Sequence, residues 1–135
     1  MKLSAIALAT ILLAAAQSAI CQTSPGDSVV NVPFPFQVAG KTLPAGSYVV
    51  KDVDGVYIRI FNAKTTGAFV QTHSVQRSSG NESKLVFRCY ADDCFLAEVW
   101  TTGQTRGREL FHSRSEQARM QRNAEMKVAE VRPLP

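Results

Sequence analysis

Apolar and polar side chains alternate along residues 28–38. Val30, Val32, Phe34, Phe36 and Val38 fall on one face, and Val29, Asn31, Pro33, Pro35 and Gln37 on the other. A period of two marks a half-buried strand. Pro33 and Pro35 lie two apart, so their missing N–H groups fall on one side of that strand, which places it at a sheet edge. Leu43-Pro44-Ala45-Gly46 reads as a turn, with Pro suited to its second position and Gly to its fourth. Residues 46–53 form the next strand, and Asp54-Gly55 is a hairpin turn signal. Val56, Ile58 and Ile60 then alternate with Tyr57, Arg59 and Phe61. A polar break at 62–67 precedes a strand over 68–76, and Ser78-Ser79-Gly80-Asn81 reads as an exposed loop. Two apolar runs, 84–90 and 94–100, flank a short polar turn and predict a hairpin. These candidate strands recur at a spacing of roughly ten residues with no helical pattern between them. That predicts a mostly β domain, an antiparallel sandwich or small barrel of about six to eight strands, rather than a parallel sheet. Sandwich and barrel stay open, because 84–90 and 94–101 are apolar on both faces.

The last third changes character and adds one short C-terminal helix. Ser113-x-x-Glu116 reads as a capping box that opens a basic helical segment at 113–126. Met120, Ala124 and Val128 would form a narrow apolar stripe, which predicts a lightly docked helix. Residues 127–132 read as a last strand. Seven basic residues and four Glu lie between Arg106 and Arg132, a net +3.

The first residues form a separate unit. Met1-Lys2 is followed by an uncharged, Ala- and Leu-rich run from Leu3 to Ile20. A basic start, an apolar middle and small residues near the end predict a secretory signal peptide over 1–21. Cleavage fits after Ser18 or after Cys21. Ile20 before Cys21 does not suit lipidation. Residues 22–27 read as a short linker and 28–132 as a single β-rich domain. The expected location is periplasmic or extracellular, with no membrane span after cleavage.

Composition narrows the function. Of 135 residues, 19% are charged, with 15 Lys+Arg against 11 Asp+Glu and a net charge of +4. Two His, three Cys and one Trp leave little material for metal sites or imidazole catalysis. If Cys21 leaves with the signal, Cys89 and Cys94 remain. A tight turn centred on Ala91-Asp92 sets these two directly opposite each other, within the reach of a disulfide. In an oxidising compartment they are expected to be bridged, a staple contributing about 2 kcal/mol.

A resemblance adds to this. Val32-Pro33-Phe34, Phe36, Val38, Lys41, Leu43-Pro44-Ala45-Gly46, Tyr48 and Val50 form its first part. Leu85-Val86-Phe87, Phe95-Leu96 and Trp100 form its second, and Gly107-Arg108-Glu109-Leu110 with Ser113-Arg114 and Glu116 its third. Together they resemble a group of small exported β-rich proteins of soil bacteria, of unknown function. The resemblance spans about residues 29–120. It implies export and a β-rich fold, and it carries no reaction, cofactor or catalytic residue. The cysteine pair is not part of it.

Searched as chemistry, the chain offers little. Gly40-Lys41-Thr42 lacks the earlier glycine of a phosphate-binding loop, and Leu43-Pro44 forbids the helix that should follow. Asp52-Val53-Asp54-Gly55 lacks the carboxylates of a calcium loop at its first and last positions. Asp92-Asp93 is an acidic turn of the kind that is usually solvated. His73 and His112 have no ligand partner at a telling spacing, and no Gly-x-Ser-x-Gly elbow is present. Glu98, in a strand, either faces solvent or pairs with an Arg. No catalytic, cofactor or metal residue is assigned and no nucleic-acid partner is expected. Arg114, Arg119 and Arg122 form a possible anion-contacting surface. The expectation is an exported, non-catalytic β domain with a binding or envelope-structural role, its partner an envelope protein or polysaccharide. The alternative is a small barrel carrying an apolar ligand in a cavity lined by Phe34, Phe36, Ile58, Phe87 and Trp100.

Overall fold

The computed structural model describes residues 28–64, 67–77, 82–122 and 124–133. The signal and linker segments, the 78–81 loop and part of the 62–67 break therefore lie outside the described residues. The described chain is mostly β. Its strands are β1 (Ser28–Val32), β2 (Phe36–Val38), β3 (Lys41–Leu43), β4 (Gly46–Val53), β5 (Tyr57–Phe61), β6 (Ala68–Gln76), β7 (Lys84–Tyr90), β8 (Asp93–Trp100), β9 (Arg106–Leu110) and β10 (Met126–Val131). One helix, α1 (Arg114–Gln121), lies between β9 and β10.

The main strand order is β1-β4-β5-β6-β9-β8-β2-β3, with β7 on the other edge of β8 and β10 beyond β7. The sheet is open and sandwich-like. One layer holds β1, β4 and β5, the other holds β7 to β10 with β2 and β3, and β6 pairs into both. The sheet is mixed, because β2 runs parallel to β8 at Gln37–Phe95 while the other pairings are antiparallel.

The alternation over 28–38 survives, but not as one strand. Val30, Val32, Phe36 and Val38 are all buried, yet Pro33 and Pro35 lie between β1 and β2. Proline removes a ladder donor, so the chain leaves the sheet there and crosses to the other layer. β1 is an edge strand that pairs with β4, whereas β2 is held between β3 and β8. Tight turns use left-handed backbone: Ala39-Gly40 joins β2 to β3, and Asp54-Gly55 joins β4 to β5. The Asp52 side chain accepts from the Gly55 N–H at 2.9 Å and locks the second of these.

The core is a contiguous cluster that includes Val32, Phe36, Tyr48, Ile58, Ile60, Leu85, Phe87 and Leu96. Phe34 and Phe36 meet Phe87 edge-on at 5.1 and 5.4 Å, and Phe36 meets Tyr48 at 5.2 Å. The buried Tyr48 hydroxyl donates to the Pro44 carbonyl. The supposed cavity-lining rings thus fill the interior themselves. Trp100 stands apart from this cluster, on the opposite face of β8 from core-packed Val99. A side chain at Gly107 would strike the Trp100 ring at 2.6 Å, so β9 carries glycine where the indole lies across it.

The helix is shorter than its sequence suggests and docks differently. It ends at Gln121 with Arg122 as its cap, short of Met126. Ser113 caps it, accepting from the Glu116 N–H at 3.2 Å. The expected apolar stripe is not what holds it, since Met120 is 46% and Val128 58% exposed. Glu116, at 2% exposure, is the buried residue of the helix.

Candidate functional site

The two outer faces of this sheet carry different chemistry. On the β7–β8 face, under α1, Arg88 donates through Nε and Nη2 to the two oxygens of Glu116, the second at 3.2 Å. Tyr90 Oη donates to the same carboxylate at 3.3 Å, and His112 Nδ1 lies 3.1 Å from it. Burial alone disfavours the Arg88 charge, but the hydrogen-bonded carboxylate outweighs it and holds the guanidinium above its ordinary value. Burial and then the Glu116 charge push the Tyr90 phenol up. Neighbouring groups are paired in the same way. Trp100 Nε1 donates to Glu98 at 2.7 Å, and the Arg77 guanidinium covers the Trp100 ring at 4.4 Å. Lys84 bonds Glu130 at 2.9 Å and holds that carboxyl below its usual range. Arg77, Lys84, Arg88, Glu98, Trp100 and Glu130 border a groove of about 360 Å³ that Val86 and Ala97 also line.

The outer face of β4, β5 and β6 is built from alternate residues in register. Lys51 lies opposite Arg59, and Arg59 opposite Phe69. Tyr57 and Phe69 stack at 4.9 Å with planes 11° apart, and Phe69 is 56% exposed. The Arg59 guanidinium rests 4.5 Å over the Phe61 ring. Among the described residues, neither Lys51 nor Arg59 has an ion pair. At the end of this face the β3–β4 and β5–β6 connections enclose a concavity of about 390 Å³, lined by Pro44–Ser47 and by Asn62, Ala63 and Lys64. The face can hold anionic or flat apolar groups by contact.

The residues singled out from sequence fall as follows. Cys89 and Cys94 face each other across the β7–β8 hairpin and are joined, with Cα atoms 4.0 Å apart. Arg119 forms an ion pair with Asp93, whereas Arg114 and Arg122 are exposed on α1 and its cap. The three arginines therefore do not stand alike. Glu98 pairs with the Trp100 indole rather than with an Arg, and lies directly opposite Glu109. His73 sits 3.6 Å from Glu109 and packs on Phe111, and His112 belongs to the Glu116 cluster. Among the described residues no three His, Cys, Asp or Glu side chains are grouped to hold a metal, and no helix is long and apolar enough to cross a membrane.

Sequence reasoning passed over Lys51, Arg59, Lys64 and Phe69 as a group. A signal for them exists, since the chain carries no Asp or Glu from Gly55 to Asn81. The register that gathers them is not visible without the structure. No protein-family model matches the chain, and no curated protein or solved structure matches it either.

Proposed function

We propose that this chain is an exported, non-catalytic β domain that acts in the periplasm or outside the cell as a binding or envelope-structural module. The observation that carries the reading is the β4–β5–β6 face, where exposed aromatic rings lie beside cations that have no ion pair among the described residues. Aromatic side chains exposed together on one face mark a surface for contact with a partner. The Cys89–Cys94 bridge is consistent with an oxidising compartment. The Leu3–Ile20 run supplies a route to it.

The test is export from a Gram-negative host with the native N-terminus intact. The expected result is an osmotic-shock fraction containing a chain cleaved after Ser18 or Cys21, with Cys89 and Cys94 protected from alkylation until reduction. Cross-linking in the same cells should trap it on an envelope component. Retention in the cytoplasm as the uncleaved, reduced chain would overturn the reading.

A further inference from the structure

We infer that the β4–β5–β6 face and the concavity at its end form one extended site for an acidic polysaccharide. The inference rests on the binding-module reading and names its ligand class.

Continuity comes first. Ser47 lines the concavity, and Val49 and Lys51 follow it at alternate positions of β4 on the same face. Asn62, also in the lining, directly follows Phe61 of β5. From Ser47 to Lys51 the strand advances about 13 Å, enough for a chain to lie along it.

Charge selects the ligand. Lys51, Arg59 and Lys64 are exposed, and none has an ion pair among the described residues. The nearby Asp52 carboxylate is turned away, held by the Gly55 N–H and by Arg108 Nε at 3.4 Å. Asp54 sits in the turn beyond the strands. Among the described residues no carboxylate pairs with these cations, and an anion would complete the face.

Shape and ring chemistry narrow the choice further. Arg59 alternates with Tyr57 and Phe61 along β5 and lies between Lys51 and Phe69 across the sheet. A polymer carrying both C–H faces and carboxylates or sulfates matches that alternation, the first against rings and the second against ammonium and guanidinium groups. A single-stranded nucleic acid fits less well. Three cations are few for tracking a phosphate chain.

The test uses the full chain with its disulfide intact. Affinity electrophoresis and calorimetry compare polygalacturonate with neutral dextran, a single-stranded oligothymidylate and phosphatidylglycerol vesicles. Polygalacturonate should retard the protein, dextran should not, and added salt should weaken the retardation. The triple variant K51Q/R59Q/K64Q and the single variant Phe69→Ala should each lose about tenfold in affinity, while Lys51→Arg retains it. R114Q/R122Q, on the helix, should bind like the parent. Circular dichroism and melting of each variant should match the parent, since the replaced side chains are exposed.

The proposal is overturned by indifference to polygalacturonate, by tighter binding to the oligonucleotide or vesicles, or by an unchanged triple variant. A loss in R114Q/R122Q alone would move the site to the helix and equally overturn it. If polygalacturonate is ignored while the exported protein still cross-links in the envelope, the ligand class is wrong and the binding-module reading stands. An uncleaved cytoplasmic chain removes that reading itself.

Discussion

The outer face under α1 and the outer face of β4–β5–β6 belong to one sheet, yet they treat charge in opposite ways. On this side Arg88 meets Glu116 of the helix, Lys84 meets Glu130 and the Trp100 indole N–H meets Glu98, so these three carboxylates find their partners within the protein. On the other face Lys51 and Arg59 project beside Tyr57 and Phe69 without counter-ions among the described residues. A buried charge must be paired or it destabilises the fold, whereas an exposed one is stabilised by water and remains free to meet a ligand. The first face therefore reports on stability, and the second is where the proposed binding is to be tested.

The sharpest way to break this contrast is Glu116→Ala. It strands the Arg88 guanidinium, whose side chain is 12% exposed, beneath a helix that has lost its buried anchor. The expected loss is about 3–5 kcal/mol in urea unfolding, since removing one partner of a buried ion pair leaves the other uncompensated. A loss below about 1 kcal/mol would place the pair with ordinary surface bridges and erase the distinction.

A smaller effect is expected from C89S/C94S. Removing the bridge should lower stability by about 2 kcal/mol in the chain-entropy model, with the hairpin still formed by its flanking apolar runs. An unchanged midpoint in the double variant would show that the staple adds nothing to a hairpin already held by the core.

Tyr90 probes the same face through pH. Its folded pKa is raised above the ordinary 10.0. The stabilisation it contributes is therefore complete below pH 10.0 and is lost as the pH rises from there through the raised value. Tyr90→Phe should remove the part of alkaline destabilisation that this phenol causes, so melting temperatures of parent and variant should converge above that range. Parallel pH profiles would detach Tyr90 from the Glu116 cluster.

The smallest effect belongs to the other face. K51Q/R59Q should change stability by no more than about 0.5 kcal/mol, because both residues are exposed and neither has an ion pair among the described residues. A large loss on denaturation would mean that these cations serve the fold, and the contrast between the faces would collapse.

Several features were legible in the chain because they depend on neighbours. The strands β4, β5, β6, β7 and β8 appear where expected, as do the Asp54-Gly55 turn, the Cys89–Cys94 pairing and the Ser113 cap. Other elements left no local trace. β9 carries Gly107 and a single well-buried apolar residue, Leu110, so no alternation announces it; its place is set by Trp100 across Gly107 and by pairing with β6. β3 is three residues long and is made by the Ala39-Gly40 turn.

What the amino-acid order determined by itself was a set of pleated segments, their tight turns, a cysteine hairpin and a capped helix, because each needs only residues a few positions apart. What the tertiary structure alone decided was which segments lie side by side. It broke the 28–38 run at its prolines and sent β2 across to β8. It turned Glu116 inward to Arg88, a residue 28 positions away, and set Arg59 between Lys51 and Phe69. Those choices depend on burying many distant apolar side chains in one cluster at once, and no stretch of sequence contains that sum.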